Sequence, residues 1–155
     1  MREIPIMSKG KNYEVIIDQE DYSKVNGRKW FLNSVGYALT YINGKQVLMH
    51  RILVEAPEGK YVDHVNHNTL DNRKRNLRVC TQSENMRNAI LKRNNTSGYA
   101  GVYKHAKNDV WVAMIKINYK SIYLGGFKLK EDAIKARQQA EDKYFGKFKY
   151  QEGAM

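Results

Sequence analysis

The sequence predicts an α+β protein: a small N-terminal β meander leads into a two-strand-plus-helix unit, and a three-stranded antiparallel sheet packed on one helix follows. Three observations carry this. Short apolar runs broken by turn residues fill the first fifty positions, a strand and a helix-capping pattern meet at Leu77–Glu84, and three more strand-like runs precede an alanine-spaced helix near the C-terminus. At 155 residues the chain holds one ordinary core or two small ones.

Residues 1 to about 49 contain YEVII, KVNGRKW and FLNSVGYALTYINGKQVLM. Asn43-Gly44 sits between YALTYI and KQVLM as a two-residue hairpin turn, whose geometry needs positive φ at both positions. Trp30 and Phe31 are read as the core of this meander. Residues 50 to about 92 read as a strand through Val62, a loop, a strand over Leu77–Cys80 and a helix from Thr81. There Thr81-Gln82-Ser83-Glu84 has the S/T-x-x-E form of a capping box, and Asn85 lies one turn inside the helix.

Residues 93–98, RNNTSG, read as a polar linker between a domain over 1–92 and a second over 99–150. In the second, YAGVYKHA, VWVAMIKIN and KSIYLGGF are separated by Lys107-Asn108-Asp109 and by Asn118-Tyr119. Glu131 and Asp132 then open a helix that stops before Gly146 and carries Ala133, Ala136, Ala140 and Tyr144 at helical spacing. Strand alternation turns Trp111, Ala113, Ile115 and Ile117 toward that helix. Val112, Met114 and Lys116 share the other face with Tyr103, His105, Ser121 and Tyr123.

The formal net charge is +11 and the pI about 9.7, which calls for a polyanionic partner. Eleven tyrosines argue against a disordered basic tail. No apolar run approaches the ~20 residues that span a bilayer, and MREIPIMSKGK lacks the apolar centre of a signal peptide. The expectation is a cytoplasmic protein with no membrane partner. Cys80 is the single cysteine, so there is no internal disulfide and no cysteine zinc cluster, and it is read as an inert core thiol.

Val62 to Asn88, VDHVNHNTLDNRKRNLRVCTQSENMRN, is too polar to be only a core element. Asp63 and His64 offer an oxygen ligand and a base, Asn76 and Asn85 offer neutral oxygens, and Arg73, Lys74, Arg75, Arg78 and Arg87 offer phosphate contacts. These groups suit phosphodiester hydrolysis with one hard metal ion. An imidazole of ordinary pKa, ~6.5, is mostly neutral at physiological pH and can act as base. A magnesium ion takes oxygen ligands at ~2.0–2.1 Å and keeps positions for water and phosphate. His64 and His67 form H-x-x-H, but no further Cys or His ligand for zinc lies nearby. The role of His67 is open, and His50 is either a site-supporting residue or a packed strand histidine.

The segment resembles the HNH family of nucleases, whose ββα-metal unit surrounds a single ion. The family's motif opens with an acidic residue and a His, matched by Asp63-His64. Its middle Asn lies twelve residues after that His, at Asn76, and its last residue nine further on, at Asn85. In the asparagine-ended form the resemblance implies Asp63 and Asn85 as metal ligands, His64 as general base and Asn76 as the catalytic-loop residue that steadies the His. The implied ion is Mg2+, with Mn2+ able to substitute. Met49-His50-Arg51 and Asp71-Asn72-Arg73 are common surroundings of the motif in phage-type homing endonucleases, and Arg51 joins the expected DNA contacts.

The C-terminal part looks like the DNA-binding domain of the plant Apetala and ethylene-response-factor type, through Gly101-Val102, Trp111-Val112-Ala113, Leu124-Gly125-Gly126-Phe127 and the alanine-rich helix. The resemblance covers nearly all of residues 97–148 and implies a sheet laid in the major groove, with Tyr103, His105, Lys116 and Tyr123 toward DNA. The arginines and tryptophans that the plant domains place on that face are largely replaced here, so most of the bidentate guanine readout is missing.

The combined expectation is a metal-dependent HNH endonuclease of the homing type, acting on double-stranded DNA in a bacterial or phage-infected cell. It would leave 5′-phosphate and 3′-hydroxyl ends, and would nick as a monomer or cut both strands as a homodimer. The rival is a non-catalytic DNA-binding regulator that keeps the nuclease fold, and a basic RNA-binding protein is the third reading.

Overall fold

A hairpin that the sequence reading reached only in part begins the chain. In the computed structural model, which describes residues 1–88 and 95–148, β1 (Arg2–Ser8) pairs antiparallel with β2 (Lys11–Ile17). Period-two alternation turns Ile4, Ile6, Val15 and Ile17 inward. A 3-10 turn at Gln19–Asp21 then feeds the short helix α1 (Tyr22–Val25). The Trp30 ring is buried and its Nε1 donates to Val25 O at 3.0 Å.

The meander proper has three strands, β3 (Phe31–Leu32), β4 (Ala38–Ile42) and β5 (Lys45–Leu48), in the order β3-β4-β5. Asn43 and Gly44 join the last two with φ of 50° and 75°, the left-handed pair that such a turn requires. Phe31 departs from expectation: it is 37% exposed, because its neighbour Trp30 faces the core and successive strand residues point to opposite sides.

Helix α2 (Met49–Leu53) follows directly, so His50 is a buried helical residue and not a strand histidine. Then β6 (Tyr61–His64) pairs antiparallel with β7 (Leu77–Cys80), with Asp63 opposite Arg78 and His64 opposite Leu77. Ile17, Met49, Leu53, Val15 and Val25 are fully buried and, with Trp30, Val62 and Leu77, join hairpin, helices and β6/β7 into one core. Each such side chain contributes roughly 1.5–3 kcal/mol.

By packing, the chain separates into Met1–Gln82 and Ser83–Tyr150. The division falls inside α3 (Gln82–Asn85), ahead of the domain limit expected at 92. Of the expected 93–98 linker, 93 and 94 lie outside the described residues, as do 149 and 150 of the second domain. Residues 95–98 are a built turn. The Asn95 amide oxygen accepts from Ser97 Oγ at 2.9 Å and Gly98 N at 2.7 Å, and Asn95 Nδ2 donates to Tyr99 O at 3.0 Å.

In the second unit β8 (Val102–Lys104), β9 (Trp111–Ile117) and β10 (Lys120–Phe127) form an antiparallel sheet in the order β10-β9-β8, covered by α4 (Lys130–Tyr144). Ala113 and Ile115 are buried under Ala133 and Ala140, as the alternation predicts. Two charged helix residues are buried as well. Arg137 Nη1 donates to Met114 O at 2.6 Å, Arg137 Nε to Glu141 Oε1 at 2.9 Å, and Tyr99 Oη to Glu141 Oε2 at 3.0 Å. Burial, and then the Glu141 carboxylate, push the Tyr99 phenol up to about 12. Among the described residues no helix is long and apolar enough to cross a membrane.

Candidate active site

Strand β6 delivers Asp63 and His64 as neighbours, both buried. The chain then leaves the sheet for a loop that returns through a 3-10 turn at Lys74–Asn76. Asn76 ties the two ends of this loop together: its Oδ1 accepts from Asn66 N at 2.9 Å, its Nδ2 donates to Asp71 O at 2.7 Å, and its own carbonyl accepts from Val65 N at 2.9 Å. Asp71 closes the middle, accepting from Asn66 Nδ2 at 3.0 Å and from Arg73 Nε and Nη2 at 2.7 and 2.6 Å. The Arg73 pair holds the Asp71 carboxyl below the usual carboxylate range. Strand β2 pins the loop from outside, since Ile16 N donates to Leu70 O and Asn72 N to Ile16 O.

The imidazole of His64 stands in a nest of side chains. Asn72 Oδ1 lies 3.4 Å from Nε2, the His50 ring meets it edge-on with centroids 5.1 Å apart, and the Tyr37 ring is 5.6 Å away. Tyr37 and His50 also pack on each other, T-shaped at 5.3 Å. Burial pushes His64 below its ordinary value, against the opposing pull of Asn72, Asp63 and Asp71. Burial, then His64 and Arg51, bring His50 down to about 3. Both rings are therefore neutral at physiological pH. Burial, and then the Asp63 charge, raise the Tyr37 phenol.

The Asp63 carboxylate is bound across the strand pair, its Oδ2 accepting from Arg78 Nε at 2.7 Å, with Nη2 in ion-pair contact at 2.6 Å. An ionised, oriented carboxylate of this kind is a hard oxygen donor of the type magnesium takes. Among the described residues no group of three or more His, Cys, Asp and Glu could hold a metal ion. Asp63 is the one carboxylate of the expected ligand set, and its Oδ2 is occupied by Arg78. Asn85, the other expected ligand, ends α3. His67 has φ of 61°, a left-handed position in the tight turn closed by His67 N donating to His64 O at 3.0 Å.

Residues 47–87 match the family model described as HNH endonuclease. That span runs from within β5 through α2, β6, the loop, β7 and α3, and so contains His50, Asp63, His64, Asn76 and Asn85. A protein named as an uncharacterized HNH endonuclease of Acanthamoeba polyphaga mimivirus is 28% identical over 148 residues, which cover 92% of this chain and 76% of that one. No solved structure matches. The HNH match points to endonuclease activity on DNA.

Around the HNH segment, most of the cations assigned to phosphates from sequence have protein acceptors. Arg51 Nη1 donates to Lys60 O at 2.6 Å and Nη2 to Pro57 O at 2.9 Å, closing the turn after α2. Arg73 binds Asp71, Lys74 binds Glu20 and Asp21, and Arg78 binds Asp63. Arg75 is exposed. In the second unit Arg87 lies over the Phe145 ring at 5.0 Å. Tyr103, Lys116 and Tyr123 lie on the outer side of the β8–β10 sheet, where Tyr103 Oη reaches Met114 Sδ at 3.6 Å, and His105 follows the end of β8.

Sequence reasoning missed Tyr37 as part of the site. It had Asn72 only as surroundings of the motif and left His50 undecided. Nothing local marks Tyr37, since its contact with His64 exists only once α2 and β6 pack. Asn72 had a weak sign, a polar residue inside DNRKRN, and its role appears only through the pairing of Asp71 and Asn72 with β2.

Proposed function

We propose that this protein is a metal-dependent DNA endonuclease with a histidine general base, of the homing type, which nicks or cuts double-stranded DNA at a site held by its C-terminal sheet domain. The observation that carries the reading is the setting of His64. A buried, neutral imidazole is fixed by Asn72, His50 and Tyr37, one residue from an ionised carboxylate, on a loop stapled by Asn76.

The chemistry follows from those groups. Asn72 offers an amide oxygen to Nε2, which favours the tautomer with the ring proton there and the lone pair on Nδ1. The neutral imidazole takes the proton of the attacking water, and the field of Asp63 and Asp71 favours the imidazolium that results. Asn76 keeps the loop, and with it the ring, in place through that charge change. Asp63 and Asn85 would hold magnesium, with manganese as substitute; when bound, the ion supplies positive charge for the phosphorane and the leaving 3′ oxygen. The products are then 5′-phosphate and 3′-hydroxyl ends. The C-terminal domain is read as Apetala-type from its motifs, acting on DNA in the cytoplasm of a bacterial or phage-infected cell. A monomer suffices for a nick and a homodimer for a double-strand break.

The test is conversion of supercoiled plasmid with and without magnesium, for the unmodified chain and for His64→Ala. Cutting that needs magnesium and falls by about 10²–10⁴-fold in the variant supports the reading. Metal-independent cutting, or an undiminished variant, sinks it. Tight binding without cleavage across several divalent metals would instead identify a DNA-binding regulator, and preference for structured RNA an RNA-binding protein.

A further inference from the structure

We infer a second nucleic-acid contact on the N-terminal unit: a groove between β1 and residues 25–31 in which Arg2, Arg28 and Lys29 take backbone phosphates of the DNA outside the cleaved step. That the polymer is DNA rests on the nuclease reading above; the groove itself does not.

The groove encloses about 510 Å³ and is lined by those three cations, by Tyr22 and Phe31, and by a single acid, Glu3. Its charges differ from four others on this unit. Lys24, Arg73, Lys74 and Arg78 are each held by carboxylates. Among the described residues no carboxylate pairs with Arg2, Arg28 or Lys29, and all three are exposed. Two of them are held by aromatic faces. The Arg2 guanidinium carbon stands 3.7 Å from the Tyr22 ring centroid, and Lys29 Nζ lies 5.5 Å from that of Phe31.

Stacking of this kind fixes the side chain without using the N–H edges, so the donors are oriented before any anion arrives. A carboxylate partner would satisfy the same charge and leave nothing for a ligand. Pre-ordered cations in a concave site, with exposed Phe31 to meet sugar or base, suit a phosphodiester chain in a protein of net charge +11. No local pattern marks this groove, because Arg2 and Arg28 stand far apart in the chain and no charge run includes either.

The experiment measures binding of a short duplex by anisotropy in EDTA, over a range of salt, so that no cleavage occurs. Four chains are compared: unmodified; R2Q/R28Q/K29Q; R2K/R28K; and K9Q/K11Q/K45Q, which removes equal charge from exposed positions in and beside hairpin turns of the same unit. The expected result is a loss of at least about tenfold for the groove variant, with the slope of log K against log salt shallower by about 2–3, and a loss below about threefold for the control. The charge-keeping R2K/R28K variant, with unchanged thermal unfolding, retains most of the affinity. Equal losses in the two triple variants, unchanged binding by the groove variant, or an effect seen only with structured RNA would overturn the inference. A protein that binds in this way but never cuts would defeat the nuclease reading alone.

Discussion

Arg78 grips Asp63 from the facing strand, two guanidinium nitrogens on one carboxylate oxygen at 2.7 and 2.6 Å, with the side chains only 13% and 9% exposed. The antiparallel register makes the pair, since Asp63 stands opposite Arg78. Cutting one partner out of a buried pair costs ~3–5 kcal/mol, and the partial exposure of this one lowers the expectation for Arg78→Met to about 2–4 kcal/mol. In a double-mutant cycle with Asp63→Asn, urea unfolding should return a coupling of about 1–3 kcal/mol. Additive losses would mean that the two side chains do not meet in solution.

Asn76 acts through both ends of its amide, and no isosteric carboxylate can replace it. Asn76→Asp keeps an acceptor for Asn66 N, loses the donor to Asp71 O, and places a second carboxylate beside Asp71. It should destabilise the N-terminal unit at least as much as Asn76→Ala, for which the loss is about 1–3 kcal/mol. Hydrogen exchange at the Asn66 amide reads the same event locally. Protection there should fall in both variants, and by more than at the amides of β1.

These residues show where the sequence was legible. The Asn43-Gly44 turn and the alternation along β9 follow from local rules, and both appear in the structure. Strand β1 escaped notice because Pro5 interrupts EIPIM; a two-stranded hairpin tolerates it, since Pro5 lies on an outer, exposed position. Helix α2 has five residues and no side-chain cap to mark it. Identities and spacing nominated Asp63, His64, Asn76 and Asn85 as candidates, and the structure sets the first three on β6 and the loop that leaves it. The groups that surround His64 did not show, because Tyr37, His50 and Asn72 reach it through tertiary packing that no spacing encodes.

Acid should weaken this protein through His50. Its ring is held neutral down to about pH 3 by burial against His64 and Tyr37 and by the nearby Arg51 charge, whereas in the unfolded chain it titrates near 6.5. Between those values the unfolded state binds the additional proton, so stability rises with pH across the window and is lost as pH falls below 6.5. The His50 share of the loss between pH 7 and pH 5 is about 2 kcal/mol. Urea midpoints measured at both values should show it, and His50→Phe, which keeps a buried ring, should show a smaller drop. An identical pH dependence in the variant would remove His50 as the cause.

The second unit depends on the absence of one methyl group. Gly101 has φ of 72°, and a Cβ there would overlap the Met114 carbonyl oxygen and stand 2.9 Å from Arg137 Nη1. That close approach lets Gly101 O accept from Met114 N at 2.8 Å while Arg137 caps the Met114 carbonyl, so sheet and helix are joined at one point. Gly98 separates the two contributions, because its φ is 77° and nothing lies within 4 Å of its added Cβ. Gly98→Ala should cost only the left-handed backbone penalty, about 1–2 kcal/mol. Gly101→Ala carries the same penalty plus the displacement of a buried arginine that also holds Glu141, so a loss of about 3 kcal/mol or more is expected. Thermal unfolding of the two variants measures the difference. Equal losses would mean that the Met114 carbonyl and Arg137 yield freely and that the junction is not the fixed point of this unit.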